Sequence, residues 1–276
     1  MTAVVLGAAR VPRPPLGFRQ HLAQVTALTR RGVKRAIRQP HVWGVGLMFP
    51  IFMAAVNTST MSKVVSFTDF PEVDSFLQFL LPAAITHAVL FGGLTAGTDT
   101  AIELMSGFFD RLVVSPVSRT AIIVGRIVGS AVTGGLQALV LIALFLPFDA
   151  PVRGGVVAVG LLVAYAMLMS MVIGGFAATL AFRAAMPEAI GNLFPLAVVA
   201  LFGSSAFFPT SLMDGSYGAF ARHNPVTWML DGIRVQVTEG LDWSEAGRSL
   251  GTAAALAAFF LFTANLALRG RIKRAT

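Results

Sequence analysis

Long uncharged segments alternate with short charged ones along this chain. Six stretches contain no Asp, Glu, Lys or Arg, and they cover residues 39–62, 75–98, 127–148, 154–182, 189–213 and 249–268. A helix needs about 20 apolar residues to cross the hydrocarbon core of a bilayer, so each stretch is long enough to span it. The apolar residues run continuously instead of alternating, which favours helices over β-barrel strands. The pattern predicts an all-α polytopic membrane protein with six transmembrane helices.

These stretches divide the chain into three parts. Residues 1–38 form an N-terminal tail, residues 39–268 a transmembrane domain, and residues 269–276 a basic tail. The expected spans cover about 42–60, 76–98, 122–147, 154–182, 189–209 and 249–268. In the first tail, residues 17–38 carry apolar groups at roughly helical spacing between Arg and Lys, which is typical of a helix lying in the headgroup layer. The alternative is an ordinary charged flank that stops translocation.

Charge distribution sets the expected orientation. Only 12% of the residues are charged, about half the share of a soluble protein, and the net charge is +8. If both termini are cytoplasmic, 16 of the 21 Lys and Arg residues lie inside and 5 outside, as the positive-inside rule requires. We therefore expect a multi-pass protein of the cell (plasma or inner) membrane, with lipid as a partner and no nucleic acid. The absence of cysteine excludes disulfides and thiolate metal sites.

The segment between the second and third spans carries the most distinctive chemistry. Asp99, Glu103 and Asp110 fall on one helical stripe of residues 99–120. A neighbouring stripe is apolar and consists of Leu104, Phe108 and Leu112. We expect a short amphipathic cytoplasmic helix that ends before Pro116. The exposed pair of Phe108 and Phe109 would be costly in water, so it is expected to insert into a groove of a partner, or alternatively to rest on headgroups or neighbouring spans.

Two motifs in this order resemble a known family. The residues SGFFDRL, SPVSR and GR, between Ser106 and Arg126, resemble the cytoplasmic motif of ABC-2 type permeases, and especially of the daunorubicin-resistance efflux branch. The segment HNPVTWMLDGIRVQVTEG, from His223 to Gly240, resembles the Asn-Pro…Asp-x-x-Arg…Gly motif before the last span of that family. The commoner form has Gly-Thr-Leu-Glu-Arg where Gly107-Phe108-Phe109-Asp110-Arg111 stand here. This difference points toward drug and lipid exporters without identifying the cargo.

The resemblance implies a function and a set of partners. The chain would be the permease subunit of an exporter for a hydrophobic or amphipathic small molecule or lipid, paired with a second permease copy or paralogue and two ATP-binding-cassette ATPase subunits. Residues 17–38 would be the elbow helix, and residues 204–248 an extracellular re-entrant region. Residues 99–120 would be the coupling segment seated on the ATPase, with contacts from Glu103, Phe108, Phe109, Asp110, Arg111, Leu112, Pro116 and Arg119.

ATP hydrolysis is not expected in this chain. A phosphate-binding loop of the Walker A type needs Gly-Lys followed by Ser or Thr. The only lysines are Lys34, Lys63 and Lys273, and none follows a glycine. We therefore expect no cofactor here, and place ATP and Mg in the separate ATPase subunit.

A possible substrate path is suggested by residues within the spans. His87 is the only side chain deep in a span that titrates near neutral pH. It is expected either to have a direct role toward the substrate or simply to hydrogen-bond a neighbouring helix. Flexible Met and rigid aromatic side chains suit hydrophobic cargo, although they equally suit contact with lipid. The candidates for the path are Met48, Met53, Phe79, His87, Phe91, Phe194 and Phe202. Arg126, near the start of the third span, is expected to snorkel to the interface.

Two other functions remain open at this point. One is a permease for polysaccharide or another glycoconjugate, which would need a wide, aromatic-lined channel. The other is a membrane scaffold that transports nothing and uses residues 99–120 only to dock an ATPase.

Overall fold

A computed structural model describes residues 17–38, 40–61, 63, 65, 70–107 and 117–275. Within them the regular elements are all helical. The α-helices are α1 (Phe18–Ile37), α2 (Pro40–Met61), α3 (Phe76–Met105), α4 (Arg119–Phe145), α5 (Gly155–Ala184), α6 (Pro187–Gly191), α7 (Leu193–Phe202), α8 (Gly215–His223), α9 (Pro225–Thr238) and α10 (Trp243–Ala275). Short 3-10 turns cover Leu146–Phe148 and Thr210–Leu212.

In the part of the chain that the structure describes, four helical segments are long and apolar enough to cross a bilayer. They cover Phe76–Met105, Thr120–Phe148, Gly155–Ala184 and Trp243–Arg271. Gly46–Met61 and Pro187–Phe202 are shorter apolar helical segments. The chain is therefore a multi-pass membrane protein, and helices occupy all six of the uncharged stretches.

The fifth stretch differs from the expected single span over 189–209. It forms α6 and α7, which are separated at Asn192, and α7 ends at Phe202. Pro195 accounts for the break because it has no N–H to bond the carbonyl of Gly191, and its ring crowds that carbonyl. The ten residues of α7 rise about 15 Å, roughly half the thickness of a hydrocarbon core.

Helix α3 is longer than the expected second span. It continues without a break through Asp99 and Glu103 to Met105, and Gly107 then adopts a positive φ of 65°. The first part of the expected separate amphipathic helix is therefore the end of α3 itself. The remainder of that expected helix, residues 108–116, lies outside the described residues.

The core is built around α5, which packs against α3, α4 and α10. Glycines bring α3 close to α5: an added Cβ on Gly97 would lie 2.4 Å from the Cβ of Ala177, and one on Gly93 would lie 2.6 Å from Ile173. On the other side of α4, an added Cβ on Gly125 would lie 2.6 Å from Leu28 of α1. These contacts fix the positions of α1, α3 and α4, which carry the charged residues.

Candidate functional site

Arginines of α1 hold the two carboxylates at the end of α3. Arg35 donates from Nη2 to Asp99 Oδ1 at 2.8 Å and from Nη1 to Glu103 Oε1 at 2.9 Å. Arg31 reaches the same oxygen of Glu103 at 3.4 Å. Because these residues lie more than 60 positions apart in the sequence, the contact ties α1 to the end of α3.

Arg126 of α4 binds Glu103 from the other side. Its Nη2 donates to Glu103 Oε2, and its Nη1 donates to the hydroxyl of Thr100 at 2.7 Å. The snorkelling of Arg126 to the interface stays a prediction, and the structure adds that its guanidinium is paired with the charged end of α3. The Glu103 side chain is only 13% exposed and joins α1, α3 and α4. We call Arg31, Arg35, Asp99, Glu103 and Arg126 the charged cluster.

A second contact ties α1 to the start of α4. The backbone N–H of Ser118 donates to Gln24 Oε1 at 2.9 Å, and the Ser118 hydroxyl lies 2.9 Å from His21 Nδ1. Ser118 also caps α4 by accepting a hydrogen bond from the backbone of Ala121. Helix α1 therefore holds both ends of the segment between α3 and α4.

The structure describes only two of the predicted coupling residues. Glu103 lies in the charged cluster, and Arg119 begins α4, although its side chain is not described. The others, Phe108, Phe109, Asp110, Arg111, Leu112 and Pro116, lie outside the described residues. Their role stays a prediction, and what the structure adds is how the segment is anchored at its two ends.

Several of the predicted path residues meet in one aromatic group between α2, α3 and α7. The ring contacts run from Phe194 to Phe91 (5.3 Å between centroids), from Phe91 to Phe49 (5.8 Å) and from Phe49 to His87 (5.7 Å). His87 then contacts Phe207 at 5.8 Å and Phe202 at 6.3 Å. We call Phe49, His87, Phe91, Phe194, Phe202 and Phe207 the aromatic group. Sequence analysis assigned Phe207 only to the outer region, because nothing local shows that it folds back against His87.

His87 is buried, and only one of its two ring nitrogens has a hydrogen-bond partner among the described residues. It is 3% exposed, its Nδ1 lies 3.2 Å from the carbonyl of Ala83, and its Nε2 has no hydrogen-bond partner among the described residues. Beside it, Met53 and Phe207 line a cavity of about 10 Å³, which is room for a single water.

Two of the predicted path residues lie outside both the aromatic group and the cavity beside His87. Phe79 is fully buried in a separate cluster with Phe70 and Phe76, and the guanidinium of Arg234 lies 3.9 Å above its ring. Met48 is 71% exposed on α2. Phe79 therefore packs the core, and Met48 faces away from it.

The second motif anchors the segment between α7 and α10 to α3. Arg234 of α9 donates to the carbonyl of Ser205 at 2.6 Å, to the carbonyl of Phe79 at 3.2 Å and to Asp231 Oδ1 at 2.8 Å. Asn224 caps α9 through Val226 N–H and donates to the carbonyls at the end of α7. The Asp-x-x-Arg spacing thus places both charges on one helical face, where they hold the turn after α7.

At the same end, an exposed ion pair joins two loops. Arg153 donates from two nitrogens to the carboxylate of Asp74, at 2.8 Å and 3.3 Å, and from Nη1 to the carbonyl of Thr238. The hydrogen bond from Arg153 holds the pKa of Asp74 below its ordinary value. The start of α3 and the end of α9 are thereby linked to the start of α5.

Comparison with known proteins decides the family. The family model described as ABC-2 type transporter matches residues 23–237, which include the charged cluster, the aromatic group and the second motif as far as Val237. The chain belongs to the ABC-2 type transporter family. The resemblance seen in the two motifs is therefore confirmed.

Relatives within the ABC-2 family carry transport names. A protein of Mycobacterium tuberculosis named as a probable doxorubicin resistance ABC transporter permease, DrrC, is 23% identical over 235 residues, which cover 84% of this chain and 83% of that protein. A protein of Cyanophora paradoxa named as a transport permease, ycf38, is 25% identical over 167 residues, or 58% of this chain and 56% of that protein.

Sequence analysis of this ABC-2 chain did not single out Gln137, a buried amide without hydrogen-bond partners in the described part of the chain. Gln137 of α4 is 0% exposed, and neither its Oε1 nor its Nε2 has a hydrogen-bond partner among the described residues. It is one uncharged residue within an apolar helix, so composition and spacing gave no signal. The glycines around it, Gly46 and Gly92, become meaningful only once α2, α3 and α4 are placed together.

Proposed function

We propose that the chain is the permease subunit of an ATP-binding-cassette exporter that moves a hydrophobic or amphipathic small molecule or lipid out of the cell. In this proposal six segments cross the plasma or inner membrane, α6 and α7 with the following turn forming the fifth, and both termini are cytoplasmic. Support comes from membership of the ABC-2 family, from the doxorubicin resistance named for one relative, and from the 16-to-5 division of basic residues.

The observation that carries this proposal is the anchoring of the segment between α3 and α4. Glu103 and Asp99 bind α1 at one end of it, and Ser118 binds α1 at the other. A force applied to residues 108–116 by a moving partner would therefore be passed to α1, α3 and α4 together. That is the behaviour required of a coupling segment with α1 as its elbow helix.

The energy enters through the partner. ATP and Mg bind a separate ATPase subunit, two of which act on a pair of permeases. ATP binds one conformation of the ATPase pair more tightly than the other, so it shifts the permease between inward-open and outward-open states. The coupling segments are drawn together in that step, and the anchored helices rock as units.

The aromatic group supplies the path for cargo in this proposal. It lies where α2 and α7 meet α3, and these two helices leave Phe52, Leu196 and Val199 strongly exposed. Aromatic rings bind apolar, planar surfaces by stacking and edge contacts. Movement of α2 and α7 away from α3 would open the group to a hydrophobic molecule.

A coupled transport assay tests the proposal. The chain is co-expressed with an ATP-binding subunit, and ATP-dependent doxorubicin accumulation is measured in inside-out vesicles. We expect Phe108→Ala with Phe109→Ala to lower recovery of the ATPase and doxorubicin-stimulated ATP hydrolysis while leaving membrane insertion unchanged. The matched control is Leu146→Ala with Phe148→Ala, an exposed apolar pair at the other end of α4. Equal coupling in the Phe108/Phe109 variant and in the control would contradict the coupling assignment.

A further inference from the structure

The carboxamide of Gln137 stands out among buried polar groups of the transmembrane helices. Several buried hydroxyls in these helices are paired, as in the contact of Ser130 with Ser170 at 2.9 Å and that of Thr86 with Tyr165 at 2.6 Å, whereas the hydroxyl of Thr58 in α2 has no partner among the described residues. Gln137 offers two donors and one acceptor group, and neither polar atom is used within the described residues. An amide left unpaired in an apolar environment is costly, so its presence needs a reason.

Two glycines shape the surroundings of this carboxamide. A Cβ added to Gly46 of α2 would lie 3.2 Å from Gln137 Nε2, and one added to Gly92 of α3 would lie 3.1 Å from Gln137 Oε1. The two neighbouring helices thus present backbone without side chains to the amide. The carboxamide is accommodated between α2 and α3, but it is not bonded to either.

A polar cavity approaches the same place from the charged cluster. Its volume is about 100 Å³, and its lining runs from Arg35 and Glu103 to Gly92 and Thr133. Thr133 lies one helical turn before Gln137, and Gly92 directly adjoins the amide. The cavity has room for several waters. Space large enough for water therefore extends from the charged end of α3 to Gly92, which adjoins Gln137.

The imidazole of His87 is a second buried group with a nitrogen unpartnered among the described residues, and the rings of Phe49 and Phe91 lie between it and Gln137. Gly46 and Phe49 are on the same face of α2, and Phe49 contacts both Phe91 and His87. The free Nε2 of His87 belongs to this aromatic group. Gln137 and His87 thus flank the Phe49–Phe91 pair along the contact between α2 and α3.

We propose that Gln137 and His87 form the polar subsite of the substrate path, with the rings of Phe49 and Phe91 between them. This proposal rests on the exporter function proposed above. The favoured cargo is then an amphipathic aromatic molecule with hydroxyl or carbonyl groups on its ring system, whereas a plain hydrocarbon gains nothing from the two polar groups. When α2 moves away from α3, the cargo's polar groups satisfy the carboxamide and the imidazole. A site built to hydrogen-bond its substrate discriminates strongly against an analogue without those groups.

The variant Gln137→Met separates this role from a structural one. Met has a similar size and no hydrogen-bonding group, so losing an unpaired amide leaves thermal stability and assembly with the ATPase unchanged or improved. We expect doxorubicin, whose rings carry hydroxyl and carbonyl groups, to bind the purified complex at least tenfold more weakly and to be exported at a higher KM. Export of diphenylhexatriene, a probe without polar atoms, is expected to stay the same.

A second pair of variants tests the other half of the subsite. His87→Gln retains a hydrogen-bonding group and is expected to keep doxorubicin binding within about twofold, whereas His87→Phe keeps the ring contacts and is expected to weaken it. Gln137→Leu is the second variant at the first position, should Gln137→Met fail to assemble. Unchanged doxorubicin binding in the Gln137 variants, or an equal loss for both probes, would overturn the subsite.

The failure of the exporter proposal would be recognised separately. If the unmodified complex transported neither probe, export of aromatic small molecules would be refuted as the function. Equilibrium binding of doxorubicin to the unmodified complex and to Gln137→Met would then still decide whether the subsite exists.

A separate observation concerns the outer face of α1. The stretch from Phe18 to Arg38 contains six basic residues and no acidic one. Arg31 and Arg35 belong to the charged cluster, whereas the neighbouring stripe of Arg30, Lys34 and Arg38, spaced i, i+4 and i+8, is exposed. Among the described residues no ion pair involves this stripe. The two stripes therefore have different electrostatic surroundings.

The exposed face of α1 also carries large apolar side chains. Phe18, Leu22 and Ile37 are 81%, 51% and 53% exposed. The basic side chains line an open depression together with Ala27. Exposed apolar groups beside unpaired cations are suited to the boundary between acyl chains and headgroups.

We infer that Arg30, Lys34 and Arg38 bind the headgroups of acidic phospholipids. Each basic residue near an anionic surface adds a favourable attraction that declines with salt. The charged cluster beneath the stripe already balances Arg31 and Arg35 with Asp99 and Glu103. The attraction to lipid therefore falls on the three outer cations.

Reconstitution into vesicles of defined composition tests this inference. The complete complex is placed in phosphatidylcholine alone, or with 30 mol% phosphatidylglycerol, and bound lipid is identified by native mass spectrometry. Replacing Arg30, Lys34 and Arg38 by Gln should abolish the preference for phosphatidylglycerol, and replacing Lys63 and Arg222 should not. Equal retention of phosphatidylglycerol by both variants would refute the site. Retention of added inorganic phosphate without a lipid preference would refute a headgroup as its ligand.

Discussion

At the scale of single residues, Arg234 is a position at which the fold tolerates little change. Its guanidinium is buried and contacts Phe79, Ser205 and Asp231. Its removal would leave the carbonyls of Phe79 and Ser205 without this donor, and a buried polar group without a partner costs about 1–3 kcal/mol. Asp231 is 32% exposed, so water compensates part of its lost ion pair. We expect Arg234→Ala to lower the unfolding temperature in detergent sharply and to reduce the yield of monodisperse protein.

The control for this prediction is Arg248→Ala. Arg248 forms an exposed pair with Glu245, three residues earlier on α10, at 2.8 Å. Exposed pairs contribute about 0–1 kcal/mol, so the unfolding temperature of this variant should stay close to that of the parent protein. Similar losses in both variants would show that Arg234 is not a special anchor.

A pH-dependent contribution to stability is expected from Asp74. Because Arg153 lowers the pKa of Asp74 in the folded state, folding favours its charged form. The stabilisation is present above the unfolded pKa of about 3.9, and it is lost as the pH falls through the lower folded value. Both side chains are well exposed, so solvent and salt keep the contribution small.

The measurement compares the parent protein with Asp74→Asn. The difference in unfolding temperature should be present at about pH 6, shrink below about pH 4, and shrink again in 1 M salt. A difference that grew on acidification would contradict the assignment of this ion pair.

Residue chemistry could be predicted from the sequence only where it is local. The stripe of Asp99 and Glu103 follows from helical spacing, and so does the pairing of Asp231 with Arg234 on one face. The bond between Glu103 and Arg126 does not, because it depends on how α3 and α4 are packed. Gln137 and Phe207 were missed for the same reason: their partners, or lack of them, are set by distant helices.

At the scale of helices, apolar length predicted where elements lie, and side-chain details decided how they end. Pro195 divides the fifth stretch because it removes a backbone donor. Met105, in contrast, still belongs to α3 because Ala101 and Leu104 are buried in the same core as Ile122. Charge alone suggested that the helix leaves the bundle at Asp99, but paired charges allow it to continue.

The contact between α3 and α5 gives a prediction at this scale. Gly97→Ala would place a Cβ 2.4 Å from that of Ala177, so the helices must separate, at a cost of about 1–3 kcal/mol. Gly160→Ala on α5 meets no atom within 4 Å and should stabilise its helix by about 0.5–1 kcal/mol. Thermal unfolding of the two variants should therefore shift in opposite directions. A neutral Gly97→Ala would show that the interface is looser than described.

At the scale of the whole molecule, the polar contacts gather at two ends with an apolar region between them. The charged cluster and Ser118 join α1 to α3 and α4 at one end, while Arg153 and Arg234 join loops and α9 to α3 at the other. Between them, α2 and α7 contact the bundle through apolar side chains, among them Leu47, Ile51 and Leu201, and through the rings of the aromatic group. Such an arrangement places the polar anchors at the two ends and the apolar contacts of α2 and α7 between them.

Orientation in the membrane is the last property of the whole molecule to be tested. If the basic majority is cytoplasmic, Ser106 at the end of α3 faces inward, and Ser216 in α8 faces outward. Both residues are exposed serines, and the chain contains no cysteine, so Ser106→Cys and Ser216→Cys are matched single-thiol variants. Ser216 is preferable to its neighbour Gly215, whose φ of 63° would strain a side chain.

An impermeant maleimide applied to intact cells should label Ser216→Cys and leave Ser106→Cys unlabelled. Both thiols should react once the membrane is permeabilised, which controls for accessibility. Because α3 and α8 are separated by α4, α5 and the divided fifth stretch, the two sites differ in side only if that stretch, with α6 and α7, crosses the membrane. If neither thiol were labelled in intact cells, both would lie inside and the fifth crossing would be absent. Labelling of Ser106→Cys alone would invert the whole chain.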